Sequence, residues 1–186
     1  MRPNVVKLAQ RVLAAMNWNQ LKEPVAAMAR CHGRIICTGV GKSGHVARKC
    51  AATLASIAKP AHFVHATEAS HGDLGVVQSG DICIAFSHSG NTPELSGIVD
   101  HCGWMGIQLV AVTSNPDSML VKASDFAIIY PQVSEAFANA PTTSTTAQIV
   151  IGDALAVGLA EYLGKQAGDF HANHPGGAIG QNRELK

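Results

Sequence analysis

The feature that most constrains this chain is a regular alternation of short, almost unbroken apolar runs with longer helix-patterned stretches. The runs are residues 34–38 (RIICT), 61–64, 82–86 (ICIAF), 108–113 (QLVAVT) and 126–129. Runs rich in β-branched residues without polar alternation suit parallel strands covered on both faces. Between and after them, residues 43–57, 93–105, 118–123 and 145–163 read as helices. Such alternation predicts an α/β fold: a three-layer α/β/α sandwich on a five-stranded parallel sheet, flavodoxin- or Rossmann-like. Ahead of it, Val5, Leu8, Val12 and Met16 share one helical face. Asn17-Trp18-Asn19 interrupts the pattern. Pro24 suits the first turn of a second helix carrying Val25, Met28 and Ala29, which Gly33 is expected to end.

The length of 186 residues fits one domain. With 47% hydrophobic and 15% charged residues the chain can bury a sizeable core. A net charge of +1 gives no bulk attraction to nucleic acid or to an anionic membrane, so neither is expected as a partner. No apolar run approaches the roughly 18 residues of a membrane span. The opening MRPNVVKLAQRV carries charges where an export leader needs apolar residues, so a cytoplasmic location is expected. Five cysteines, an odd number with no C-x-x-C pair, argue against a disulfide framework and for small buried hydrophobes.

In open parallel sheets, ligands bind beyond the carboxyl ends of the strands. The polar, glycine-rich segments fall there: GVGKSG (39–44), HATEASHGD (65–73), SHSGNTPE (87–94), TSNPDS (113–118) and PQVSEA (131–136). GVGKSG lies between a strand and a helix, where glycines allow close backbone approach and a helix start offers free N–H groups to an anion. A Walker A loop would need glycine where Ile36 stands. A dinucleotide site would need an acidic residue at the end of the second strand, where Val64-His65 stand and the next carboxylate is Glu68. The dinucleotide reading stays as a secondary alternative. In the serine loop, Pro93 suits a first helical turn, with Asn91 or Thr92 placed to cap it. Its hydroxyls, beside the first loop, suit a metal-free phosphate cradle.

The motifs GVGKSG, TEASHGDLG, SHSGNTPE, TTSTT, GDALA and HPGGAIG together resemble the SIS (sugar isomerase) domain of bacterial arabinose-5-phosphate isomerases, from about Gly33 to Gly180. The resemblance implies a single SIS domain over residues 1–186, with helices in 1–32 packing on it and residues 168–186 contributing to the site. It implies interconversion of D-ribulose 5-phosphate and D-arabinose 5-phosphate, feeding synthesis of Kdo and surface polysaccharide. It also implies a homotetramer with active sites at subunit interfaces. Longer members continue into a pair of CBS domains. This chain ends six residues after Gly180, as either a naturally short member or a truncated one, and the expectation is of the form without them. His88 stands where many relatives have asparagine or glutamine.

Aldose–ketose isomerisation through an enediolate needs a base near two adjacent carbons, a group to handle the sugar hydroxyls, and stabilisation of developing charge. Ser43, Ser87, Ser89 and Thr92 form the expected phosphate group, by loop physics and by the family pattern. Lys42 would neutralise phosphate or an oxyanion. Glu135, after the fifth strand, is carried over from the family as the base. His174 would open the ring or shuttle protons, held by the Pro175-Gly176-Gly177 turn, with a neighbouring subunit as its source. Glu94 is a further candidate, its alternative being a first-turn carboxylate facing the helix dipole. His71 is also a catalytic candidate, with sugar binding or an interface as its alternative; Glu68 would serve the sugar or an interface, and His88 the sugar. Asp153, on an apolar helix, is expected to satisfy a buried polar group. His62, His65, His71, His88 and His174 raise a metal question, but acid–base groups suffice for this route, so neither metal nor cofactor is expected. The rival readings are a non-catalytic sugar-phosphate-binding regulatory module, although no basic helix-turn-helix segment is present, and an isomerase of six- or seven-carbon sugar phosphates.

Overall fold

A computed structural model of the chain describes residues 4–174 and Gly176. The elements run α1 (Asn4–Ala14), α2 (Lys22–Arg30), β1 (Ile35–Gly39), α3 (Gly41–Ile57), β2 (Ala61–His65), α4 (Ala66–Ala69), β3 (Ile82–Phe86), α5 (Ser96–Met105), β4 (Gln108–Thr113), α6 (Met119–Ala123), β5 (Phe126–Ile129), α7 (Thr143–Tyr162) and α8 (Ala167–Ala172). All five strands pair in parallel in the order β2-β1-β3-β4-β5. The three-layer arrangement expected from the apolar runs is present.

Every residue of β1 and β3 is buried, so successive side chains feed two separate cores. Ile35, Cys37, Ile82, Ile84, Phe86, Val110 and Val112 point to one face, where Val46, Leu54, Ile151 and Leu155 of α3 and α7 meet them beside α2 residues such as Met28. Ile36, Cys83, Ala85, Leu109 and Ala111 point to the other, under Ile98, Val99 and Cys102 of α5 and Leu120 of α6. Fully burying an aliphatic side chain of this size contributes about 1.5–3 kcal/mol, which makes the sheet a rigid platform for its loops. On α1, Ala9 and Val12 are buried, as is Met16 beyond its end, whereas Val5 and Leu8 are only half covered. Among the described residues no helix is long and apolar enough to cross a membrane.

Four expectations are revised. Helix α3 begins at Gly41, two residues early, because Gly41 takes φ +57° and turns the chain straight from the strand into the helix. Helix α2 ends at Arg30, ahead of Gly33. Gly33 is needed for close approach instead: its N–H donates to Gly80 O at 2.9 Å, and a Cβ would lie 2.7 Å from that carbonyl. Neither Asn91 nor Thr92 makes a side-chain cap at the 93–95 turn that leads into α5. The Thr92 hydroxyl is taken by Ser87 at 2.8 Å, and Asn91 Oδ1 accepts the Met119 N–H of α6 at 2.8 Å. Asp153 is half-buried and pairs with Lys49, tying α7 to α3 as an ion pair.

Candidate active site

The strand order reverses between β1 and β3, and the crevice opens where their following loops diverge. Gly39 pairs with Phe86 at the level strand ends, so the first loop and the serine loop leave the sheet side by side. Ser43 sits half-buried in the first turn of α3, a helix of 17 residues. Its N-terminus presents free N–H groups and the positive end of its dipole at this point.

The serine loop is held by its own hydroxyls. Ser87 is buried, and its Oγ accepts the Gly90 N–H at 3.0 Å while bonding Thr92 Oγ1. Ser89 is exposed, and its Oγ accepts the Asn91 N–H at 3.2 Å. Gly90 takes φ +66°, and a Cβ there would run into the Ser118 side chain and lie 2.9 Å from Thr113 Oγ1. The loop is thus pressed onto the segment after β4, which fixes the direction of its hydroxyls.

The segment between β5 and α7 closes the crevice. Ala138 adopts φ +45°, a left-handed conformation uncommon outside glycine, and an isolated bridge pairs Phe137 with Ala140. This bend brings Glu135 back onto the start of α7. Its Oε2 accepts the N–H of Thr142 at 2.8 Å, of Thr143 at 2.7 Å and of Ser144 at 3.4 Å, and the Thr142 hydroxyl at 3.0 Å. Partial burial pushes the carboxyl up, but the hydroxyls and amides of Thr142 and Ser144 outweigh it, so Glu135 lies below the usual carboxylate range. Among the described residues Oε1 accepts no hydrogen bond. Oε2 carries all four of these bonds.

A cavity of about 480 Å³ lies between these three segments, lined by Ser43, His88, Ser134, Glu135, Asn139 and Ser144, among others. Its size falls within the roughly 300–1,000 Å³ of small-molecule sites. His88 is half-buried, with Nδ1 3.0 Å from the Tyr130 hydroxyl and 3.1 Å from Ser114 Oγ. Three of the expected residues therefore converge: a serine at a helix start, an imidazole and a carboxylate.

The expected residues outside the first loop's serine, the serine loop up to Thr92 and Glu135 lie elsewhere. His71 and Glu94 both line a second cleft of about 350 Å³, with Thr67 and Ser70. Glu68 is exposed on α4 and lines neither cavity. Lys42 is exposed in the first turn of α3 and makes no ion pair among the described residues. His65 uses its ring to accept the Thr67 N–H at 3.3 Å, ahead of α4. Among the described residues no group of three or more His, Cys, Asp or Glu side chains is arranged to hold a metal ion.

His174 stacks on Phe170, with ring centroids 3.9 Å apart, and its Nδ1 lies 2.8 Å from Phe170 O. The neighbouring Asn173 donates to Ser56 O at 3.1 Å, at the far end of α3. Ser56 lies thirteen residues beyond Ser43 along that helix, a rise of about 20 Å. His174 is therefore at the opposite end of the sheet from its own chain's cavity. Pro175 and Gly177 of the expected turn, and residues 178–186, lie outside the described residues.

Sequence reasoning did not single out Thr142, Ser144, Tyr130, Ser114 or Gln148. The first two had a visible signal, since a TTSTT run before a long apolar helix is a hydroxyl-rich N-terminus. Tyr130 and Gln148 had none: an aromatic at a strand end and a glutamine in an apolar helix acquire meaning only from what they touch.

The SIS domain family matches residues 28–158 of the chain. The arabinose 5-phosphate isomerase KdsD of Yersinia pestis is 46% identical over 162 residues, 86% of this chain and 49% of that protein. The KdsD of Pseudomonas aeruginosa is 46% identical over 156 residues, 83% of this chain and 48% of that protein. This chain thus spans about half the length of these curated relatives. The solved structure of Escherichia coli CFT073 c3406 in complex with arabinose 5-phosphate is similar with a TM-score of 0.87 and 37% identity, covering 92% of both chains.

Proposed function

Because the chain belongs to the SIS domain family, we propose that it is an arabinose-5-phosphate isomerase, interconverting D-ribulose 5-phosphate and D-arabinose 5-phosphate. The observation that carries this reading is the convergence of Ser43, His88 and Glu135 on one cavity at the β1/β3 crevice. The likeness to KdsD relatives and to a structure holding arabinose 5-phosphate supports the choice of substrate.

In the proposed mechanism the phosphate rests on the start of α3 and on the serine loop, contacted by Ser43, Ser87, Ser89 and Thr92. Lys42 swings in to offset its charge. This remote grip fixes the register of the carbon chain. Glu135 Oε1 takes the proton from the carbon beside the carbonyl, and that C–H pair becomes the new C=C bond. The carbonyl π pair moves onto oxygen, giving the enediolate. The hydroxyl proton on the neighbouring oxygen passes to the new alkoxide, that oxygen's pair re-forms C=O as the C=C pair takes the proton back from Glu135 onto the adjacent carbon, and the exchange is complete. Substrate seated over Glu135 strips water from it and raises its basicity toward what the transfer needs.

His174 is assigned to ring opening in the site of a neighbouring subunit, since the adjacent Asn173 is held at Ser56, about 20 Å along α3 from Ser43. His71, Glu94 and Glu68, on the second cleft and its rim, are assigned to the same subunit boundary. A homo-oligomer, a tetramer in this reading, follows from that sharing. Helix α7 supports it. While Ile151, Leu155 and Leu159 are buried in the core, Ile149 and Val157 on its other side remain 39% and 48% exposed. A helix apolar around its circumference is normally covered on all sides. In this reading residues 1–186 form one SIS domain, acting in the cytoplasm on a precursor of Kdo.

The test is a coupled assay of the purified chain with ribulose 5-phosphate. Formation of arabinose 5-phosphate is expected. A folded oligomer that turns over only six- or seven-carbon phosphates would replace the substrate. Calorimetric binding without any conversion would mark a sensor instead.

A further inference from the structure

A buried polar relay runs from α7 to the cavity wall and has no part in the mechanism above. Tyr130, just after β5, has no exposed surface. Its hydroxyl lies 3.0 Å from Gln148 Nε2 and 3.0 Å from His88 Nδ1, and its ring stacks on the imidazole at 5.9 Å between centroids. Gln148 is likewise fully buried, and among the described residues its Oε1 has no partner.

Counting protons fixes the state of the imidazole. The Gln148 amide donates to the Tyr130 oxygen. The Tyr130 hydroxyl has one proton, and His88 Nδ1 is the acceptor within reach among the described residues. Ser114 Oγ lies 2.9 Å from the His88 carbonyl oxygen and can spend its own proton there. If Nδ1 carried a proton, the Tyr130 hydrogen would be stranded in a site closed to water, which is costly. Reversing the Gln148 amide would trade one unpaired oxygen for unpaired N–H donors at full burial. The arrangement that satisfies most groups is a neutral ring with its proton on Nε2. Burial, the largest influence on His88, lowers its pKa and keeps it neutral, against the opposing pull of the Glu135 charge.

We propose that His88 is a catalytic hydrogen-bond donor. Its neutral Nε2–H is presented to the cavity by the Tyr130–Gln148 relay and placed to bind the substrate oxygen that becomes negative in the enediolate. Tyr130 is a positioning residue. As Glu135 takes the carbon-bound proton and the carbonyl pair moves to oxygen, the Nε2–H bond to that oxygen strengthens, and no proton crosses it. A neutral donor here leaves the Glu135 carboxylate without a cationic neighbour that would weaken it as a base. The identity of the oxygen rests on the isomerase reading, whereas the tautomer rests on the hydrogen-bond geometry alone.

The experiment combines imidazole ¹⁵N NMR of the full chain with steady-state kinetics. The His88 signals are assigned by their loss in His88→Gln. The wild type is expected to show an Nε2–H ring whose resonances move on adding arabinose 5-phosphate. Tyr130→Phe, which keeps the packing, should shift the tautomer and lower kcat about tenfold with KM within about threefold. His88→Leu should lower kcat about 10²–10³-fold, and His88→Gln, which retains an N–H donor, should recover about tenfold of that loss. An Nδ1–H ring, or an Nε2 signal unmoved by saturating arabinose 5-phosphate, would overturn the inference. So would a Tyr130→Phe variant that changes only thermal stability. If the wild type binds the sugar phosphate without converting it, the isomerase reading fails while the NMR arm still decides the donor.

Discussion

Glu135 carries two duties on one side chain. Its Oε2 closes the start of α7 through the Thr142, Thr143 and Ser144 amides, and the same side chain lines the cavity. The two duties separate in two variants. Glu135→Gln should keep sugar-phosphate binding by calorimetry and lose about 10²–10⁴-fold in kcat, the usual worth of a positioned base. Glu135→Ala should in addition lower unfolding stability in urea by about 0.5–2 kcal/mol, the range for loss of a helix cap. The carboxyl is depressed in the folded chain, so its contribution to stability is full above the unfolded value and is lost as pH falls through the folded one. The same depression places the acid limb that Glu135 gives kcat/KM below pH 4.5, its ordinary value. A kcat/KM profile whose limb near neutral pH vanishes in Glu135→Gln would contradict this.

At the scale of elements, the two helix starts proposed to bind phosphate are aimed by strain and close packing. Gly90 is the clearest case, with a left-handed φ and the Ser118 side chain where a Cβ would go. Gly90→Ala should cost about 1–3 kcal/mol and raise KM for the sugar phosphate, because the serine loop must lift away from the segment after β4. Denaturant unfolding and steady-state kinetics measure the two effects, and an unchanged KM would show that loop position does not govern phosphate binding. Both helix starts were legible in the sequence, since glycines and serines between a strand run and a helix pattern have few other uses. The N-terminus of α7 was less so. TTSTT announces a helix start, but that its amides grip a carboxylate seven residues upstream depends on the bend at Ala138.

At the scale of the whole molecule, α3 sets about 20 Å between Ser43 on the cavity and Ser56, where Asn173 beside His174 is held. The proposed sharing of sites between subunits then makes a sharp prediction. Glu135→Gln and His174→Ala chains, each inactive alone, should regain activity when unfolded together and refolded as a 1:1 mixture. Random assembly rebuilds about a quarter of the sites with both groups intact. A mixture no more active than its components would place both groups' function within one chain, or remove His174 from the chemistry.

The sequence by itself determined the layers and the crevice. Unbroken apolar runs must be covered on both faces, and glycine- and serine-rich segments after them must lie at the strand ends, whatever the details of packing. It also carried Ser43, His88 and Glu135 as separate candidates. Only the tertiary structure decided that these three share a cavity while His71 and Glu94 share another, because distances between loops follow from strand order and helix length. It alone supplied Tyr130 and Gln148 as well. A buried hydroxyl and amide have no pattern along the chain, and their role is set by the partners that burial forces them to find.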